Sequence, residues 1–191
     1  MKTEKQQYND YVKLMKAIVK IGKQNNRRII GRLFNGDNTV YLSDSCCIFG
    51  IPYNIYEENY EACKCPSIDD CANCTVDLKK IIADIVTDFN ATECAMTSMC
   101  FTLNSGVVVD IYKTGKTYGT QNKTEFGAVN SIYTELLNLL PYAINGYNPK
   151  TTGSKYPVAY YSDVLETGWA IYPINFNVVQ ALENLGFEQK K

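Results

Sequence analysis

Apolar and polar positions recur along this chain with two distinct periods. In residues 8–23, Tyr11, Leu14, Ile18 and Ile21 fall at helical spacing, which predicts an amphipathic helix. Arg28–Phe34 and Thr39–Asp44 are strand-like and flank Asn35-Gly36-Asp37-Asn38, a strong hairpin signal. Cys46–Ile51 continues as a third apolar strand and ends at Pro52. Residues 53–76 show neither period and are expected to be irregular. Leu78, Ile81, Ile82, Ile85, Val86 and Phe89 then form a second helical stripe, with Asp77 at the end where a carboxylate is favourable. Cys94–Leu103 and Val107–Lys113 are strands around Asn104-Ser105-Gly106, and Thr114-Gly115-Lys116 reads as a further turn. Ile132, Tyr133, Leu136, Leu137 and Leu140 give a helix capped by Asn130 and stopped by Pro141. Tyr156–Ser162 and Gly168–Phe176 are two more strands. Asn177 opens a short last helix through Val178, Val179, Leu182 and Leu185, with Gly186 as its stop.

This order predicts an α+β chain of antiparallel sheets with helices packed on one face. At 191 residues and 46% hydrophobic, the chain has the size of one domain and the apolar content for a real core. Residues 1–191 are therefore read as a single domain. Residues 53–92, an acidic cysteine-containing segment plus its helix, are read as an insertion.

Charge changes the picture. Nineteen basic and twenty acidic residues give a net charge of −1, so no global excess points to a polyanion or a membrane. The distribution is uneven. Residues 1–35 carry nine Lys/Arg against two Asp/Glu, and residues 36–100 carry three against eleven. Within the first helix, Lys13, Lys16, Lys20 and Lys23 fall within about 80° of arc, nearly opposite Leu14, Ile18 and Ile21. Arg27, Arg28 and Arg32 follow. Two readings fit this row: an ordinary solvated lysine face, or a surface for phosphates. Solubilising faces usually interleave signs, and no acid stands between these lysines.

Candidate chemistry is sparse. The chain has no histidine, which excludes His-dependent hydrolases and His-ligated metal sites. Four of the eight cysteines, Cys63, Cys65, Cys71 and Cys74, lie within twelve residues. Thiolates suit zinc, but the usual arrangement separates two short-spaced pairs by a longer loop, and Asp69-Asp70 adds further negative charge here. A reduced thiol cluster or an opportunistic disulfide fits better, and no cofactor is expected. Cys46, Cys47, Cys94 and Cys100 sit in apolar strands and read as small core residues. Gly115-Lys116-Thr117 lacks the upstream glycine of a phosphate-binding loop. No convergent catalytic set is visible, so the chain is not expected to be an enzyme. The polar N-terminus has no signal-peptide core, and no apolar run is long enough to span a bilayer. A cytoplasmic protein with no membrane contact is expected.

Two separated stretches resemble the half-domains of a bacterial DNA sliding clamp. Val129-Asn130-Ser131-Ile132-Tyr133-Thr134-Glu135-Leu136-Leu137, Tyr156-Pro157-Val158-Ala159-Tyr160-Tyr161 and Ile171-Tyr172-Pro173-Ile174-Asn175-Phe176 are similar to the helix and the following strands of the clamp's last half-domain. Tyr11–Val19, Ile29–Phe34 and Val40-Tyr41-Leu42-Ser43-Asp44 are similar to an earlier helix and strand pair. The resemblance covers about half the chain. It implies a clamp-like fold in a single-domain version, of the kind a phage or mobile element carries. It also implies that basic residues of the first helix face duplex DNA without reading sequence. Lys13, Lys16, Lys20, Lys23, Arg27 and Arg28 are then the expected phosphate contacts. A ring would need several copies, so a homo-oligomer is part of that expectation, as is a recruited protein partner. The alternative is a phage-encoded interaction module that diverts a host protein through its acidic, Tyr-rich middle, with neither DNA contact nor catalysis.

Overall fold

The computed structural model describes residues 2–33, 38–68, 77–87, 92–118, 121–141, 146–148, 158–162, 167–174 and 178–184. In chain order these form α1 (Glu4–Gln24), β1 (Ile30–Leu33), β2 (Thr39–Ser43), β3 (Cys47–Pro52), α2 (Tyr53–Cys63), α3 (Leu78–Thr87), β4 (Thr92–Thr102), β5 (Val108–Tyr118), β6 (Gln121–Asn130), α4 (Ser131–Leu137), β7 (Gly146–Asn148), β8 (Val158–Ser162), β9 (Thr167–Ile171), β10 (Pro173–Ile174) and α5 (Val178–Asn184). The α+β class read from the sequence holds. No helix among the described residues is long and apolar enough to cross a membrane.

The strands form one antiparallel sheet in the order β1-β2-β3-β9-β8-β7-β4-β5-β6-β10. The join between N-terminal and C-terminal strands is the β3–β9 ladder, with Cys47 opposite Ile171 and Phe49 opposite Trp169. Alternation along the strands supplies two apolar faces. Val40, Leu42, Phe49, Ile51, Trp169 and Ile171 face α1, α2 and α4, whose Leu14, Ile18, Tyr56 and Tyr133 are buried with them. Tyr41, Ile48, Ala159 and Ala170 point the other way and are covered by Leu78 and Ile82 of α3. Val109, Ile111 and Ala128 are covered on that second side by Val178 of α5.

The expectation of helices on one face is therefore corrected. The central strands are apolar at consecutive positions, and β2, β3 and β9 are buried throughout except at Pro52. Such strands need cover on both sides.

Four further expectations change. Residues 53–63 are a helix, α2, and not an irregular segment. Its buried Ile55, Tyr56 and Cys63 sit at helical spacing beneath three glutamates, so composition hid a real stripe. Thr114-Gly115-Lys116 lies inside β5, not in a turn; the β5–β6 ladder runs from Val109↔Asn130 to Tyr118↔Gln121. The predicted strand over Gly168–Phe176 divides at Tyr172 into β9 and β10, which pair with different neighbours. Cys100 is exposed, whereas Cys47 and Cys94 are buried and Cys46 is intermediate.

Candidate nucleic-acid interface

Local signals fix α1 at both ends. Thr3 is its N-cap, accepting from the Gln6 amide at 3.3 Å, while the Gln6 side chain accepts from the Thr3 amide at 2.8 Å. This reciprocal pair is a capping box. At the other end the Asn25 side chain donates to the Ile21 carbonyl at 2.8 Å. Asn26 then turns through φ 52°, and the Arg27 amide closes back on the Gly22 carbonyl at 2.8 Å. Gly22, in the last turn of α1, lets Ile29 pack close, because a Cβ there would lie 2.1 Å from Ile29 Cδ1 and the Ile29 side chain would have to move.

Between these caps the helix buries Tyr11, Leu14, Met15, Ile18, Val19, Ile21 and Gly22. Lys13, Lys16, Lys20 and Lys23 are all exposed, on the opposite side as the spacing predicted. They span about 15 Å along the axis. Lys5 and Asn9 are also exposed and fall on the same arc. The sequence reading missed this extension because the segment before Tyr8 carries little apolar signal.

The four lysines are not equivalent. Lys13 pairs with Asp10 at 3.3 Å, and Asp10 is also held by Lys2 at 2.9 Å. The Lys2 hydrogen bond is the main reason that the Asp10 carboxyl lies below its ordinary pKa; burial opposes it, and Lys13 lowers it further. Among the described residues, Lys16, Lys20 and Lys23 make no ion pair.

Arg27 and Arg28 diverge. Arg28 is exposed and makes no ion pair among the described residues. Arg27 turns inward. Its Nη1 donates to the Tyr133 hydroxyl at 2.5 Å and lies 3.4 Å from Asp44 Oδ2. Asp44 is fully buried. Its Oδ2 accepts from the Tyr133 hydroxyl at 2.5 Å, and its Oδ1 accepts from the amides of Cys46 and Cys47 at 3.0 and 3.2 Å. Burial and then the Asp44 hydrogen bond push the Tyr133 hydroxyl far above the ordinary tyrosine range. This network ties the α1 exit, the β2–β3 turn and α4 together, which gives Arg27 a structural role in place of a surface one.

Beside α1, α2 lies in the same helical layer. The Tyr8 hydroxyl donates to Glu58 Oε2 at 2.9 Å, Asn59 Nδ2 donates to the Tyr8 hydroxyl at 2.8 Å, and Cys63 Sγ is 3.9 Å from the Val12 carbonyl. Contacts at 8 and 58–59, then at 12 and 63, set the two helices side by side in the same direction. The solvent side of α2 carries Glu57, Glu58 and Glu61, all exposed, and the helix has no Lys or Arg. α4, which covers the same face of the sheet, exposes Glu135 and again has no Lys or Arg. The Lys2 ammonium bonds the Asn138 carbonyl at 2.8 Å just past the α4 C-terminus, where a cation is favoured. The α2 glutamates therefore stand beside residues 8–12 of α1, below the level of Lys16, Lys20 and Lys23, and the exposed Lys64 follows at the α2 C-cap.

Cys63 and Cys65 are buried in the first apolar cluster. Burial raises both thiols, Cys65 to about 12, and outweighs the opposing influence of Lys16 on Cys63 and of Lys23 on Cys65. They are held as protonated thiols. Cys71, Cys74, Asp69 and Asp70 lie outside the described residues. Among the described residues no three His, Cys, Asp or Glu side chains are grouped to hold a metal. Among the described residues, a pocket of about 280 Å³ lies beside Lys2, Gln6 and Asp10, and another of about 230 Å³ beside Asp110, Thr134 and Glu135. In the second pocket Asp110 accepts from the Ser131 hydroxyl at 2.8 Å and from the Thr134 hydroxyl. No family model, curated protein or solved structure matches the chain.

Proposed function

We propose that the protein is a DNA-associated scaffold that contacts duplex phosphates without sequence preference through the lysine ridge of α1. One observation carries the reading. Lys16, Lys20 and Lys23 are exposed on one arc of a doubly capped helix and have no carboxylate partner among the described residues. Ammonium groups on long stems neutralise phosphates without reading bases. The contact set is Lys13, Lys16, Lys20, Lys23 and Arg28. A clamp-like arrangement is supported by the resemblance of the two half-domain stretches and by α1 and α4 covering the same face of the sheet.

Fluorescence anisotropy with a labelled duplex tests this. With Lys13 already paired to Asp10, the other four cations neutralise four phosphates and give a log–log salt slope of about −3.6, so affinity falls roughly 150-fold between 50 and 200 mM salt. Lys16→Glu combined with Lys20→Glu abolishes binding. If that double variant binds as the parent does, the ridge is not the interface. A ring-sized mass in light scattering would support the clamp arrangement, and a monomer would remove it.

A second reading rests on α2, whose three exposed glutamates and 37%-exposed Tyr53 make a surface suited to a basic protein partner. It predicts capture of one protein that is lost on changing Tyr53 and Glu57, and that is indifferent to Lys16 and Lys20.

A further inference from the structure

One lysine outside α1 shares its surface. Lys64 closes α2 in the left-handed region, at φ 60° and ψ 31°. Its amide donates to the Glu61 carbonyl at 2.9 Å, and the Cys65 amide donates to the Tyr60 carbonyl at 2.8 Å. These are the paired bonds of a Schellman closure. Glycine or asparagine is usual at the left-handed position, because a Cβ there crowds the backbone. Lys64 is exposed and makes no ion pair among the described residues. Glu61, the nearest carboxylate in sequence, accepts from the Tyr60 hydroxyl at 3.2 Å.

The neighbours of Lys64 fix its level along α1. Cys63 Sγ lies 3.9 Å from the Val12 carbonyl, the group that accepts from the Lys16 amide in an α-helix. Burial raises the thiols of Cys63 and Cys65; Lys16 opposes it at the first and Lys23 at the second. The residues on either side of Lys64 are thus within electrostatic reach of the two ends of the Lys16–Lys23 row. Both cysteines are buried, so the chain leaving α2 runs along the flank of α1 with Lys64 exposed between them.

We infer that Lys64 is a further phosphate contact, joining Lys16, Lys20 and Lys23 in a cationic surface two elements wide; this rests on the phosphate-contact reading of α1. Backbone strain of this kind clusters where ligands are held. The α2 C-terminus also favours a cation, so stability and binding are read separately.

The test uses the full chain and a labelled 20-base-pair duplex, in anisotropy titrations from 50 to 200 mM salt. Lys16, Lys20, Lys23 and Arg28 alone give a log–log slope of about −3.6, and a fifth contact makes it about −4.5. Lys64→Gln should bind more weakly at 50 mM salt, with a slope shallower by about 0.9, so that the parent's advantage shrinks about 3.5-fold by 200 mM. Lys64→Arg keeps the charge and should keep the slope. Lys64→Gly relieves the left-handed position and should melt no lower than the parent, yet show the shallow slope of Lys64→Gln. Lys80 is exposed on α3, which covers the opposite face of the sheet, and Lys80→Gln should leave the slope unchanged. If Lys16→Glu with Lys20→Glu removes binding while Lys64→Gln keeps the parent's slope, Lys64 is not a contact and the ridge stands. If Lys80→Gln loses as much as Lys64→Gln, net charge accounts for both and the Lys64 assignment is overturned. If the parent does not bind, or the double lysine variant binds as the parent does, the ridge fails and Lys64 with it.

Discussion

Replacing Asp44 by asparagine should destabilise the protein by about 3 kcal/mol. The perturbation removes one charge from a carboxylate that is fully buried. Asparagine keeps the oxygen that serves the Cys46 and Cys47 amides at 3.0 and 3.2 Å. It loses the acceptor facing Tyr133, and a hydrogen bond to a charged group contributes about 1.5–3 kcal/mol. It also loses the pairing with Arg27 at 3.4 Å, whose side chain is 32% exposed. Solvent screens that pair, so it adds no more than about 1 kcal/mol. In a chain of this length each kcal/mol moves Tm by about 2–4 °C, so a drop of about 6–12 °C should appear in circular-dichroism melts. Tyr133→Phe should cost about 1–2 kcal/mol alone. The two changes should couple by at least about 0.5 kcal/mol in a double-mutant cycle, because they share one bond. A melt of Asp44→Asn within about 2 °C of the parent, or strict additivity with Tyr133→Phe, would refute the network as drawn.

The remaining predictions concern Arg27, alkaline pH and Lys2. Arg27→Ala should lower Tm through the same network yet weaken duplex binding far less than Lys16→Glu with Lys20→Glu; anisotropy and melts on one preparation separate the two effects. Burial raises the Cys65 thiol to about 12, against an ordinary value of about 8.5 in an unfolded chain. The stability it contributes is complete below about pH 8.5 and declines as pH rises towards 12. Urea midpoints at pH 8 and 10 should therefore fall more for the parent than for Cys65→Ala, and an equal fall would exclude the assignment. Lys2→Ala removes the cation at Asn138 and one partner of Asp10. It should cost no more than about 1 kcal/mol by chemical denaturation.

Legibility in the sequence followed the clarity of the local signal. The α1 stripe, the Asn130 cap of α4, the β2 and β3 runs and the α3 stripe each carried their own period and appear where the spacing put them. The lysine arc was legible for the same reason, since a fixed helical angle per residue decides which side chains share a side. α2 was not legible, because Glu57, Glu58 and Glu61 dominate its composition while its stripe rests on Ile55, Tyr56 and Cys63. The extension of β5 beyond Lys113 depends on its partner β6, a tertiary fact that the residues around Gly115 do not announce. Arg27 looked like a surface cation because its charge is local. Its commitment to Asp44 and Tyr133, 17 and 106 positions away, exists only once the chain is folded. The packing of α2 on α1 shares that origin: Glu58 and Tyr8 are 50 positions apart, and nothing in either neighbourhood predicts the other.

The pairing of β3 with β9 sets an order of assembly. Phe49 and Trp169 are ladder partners, separated by about 120 residues of chain, and closure over such a span is entropically costly and slow. Until β9 (Thr167–Ile171) arrives, the β1–β2–β3 meander has an open flank on β3 bearing unsatisfied amides and carbonyls. A nascent or truncated chain ending before Thr167 would present that flank to other chains, and self-association is the expected fate of such a fragment.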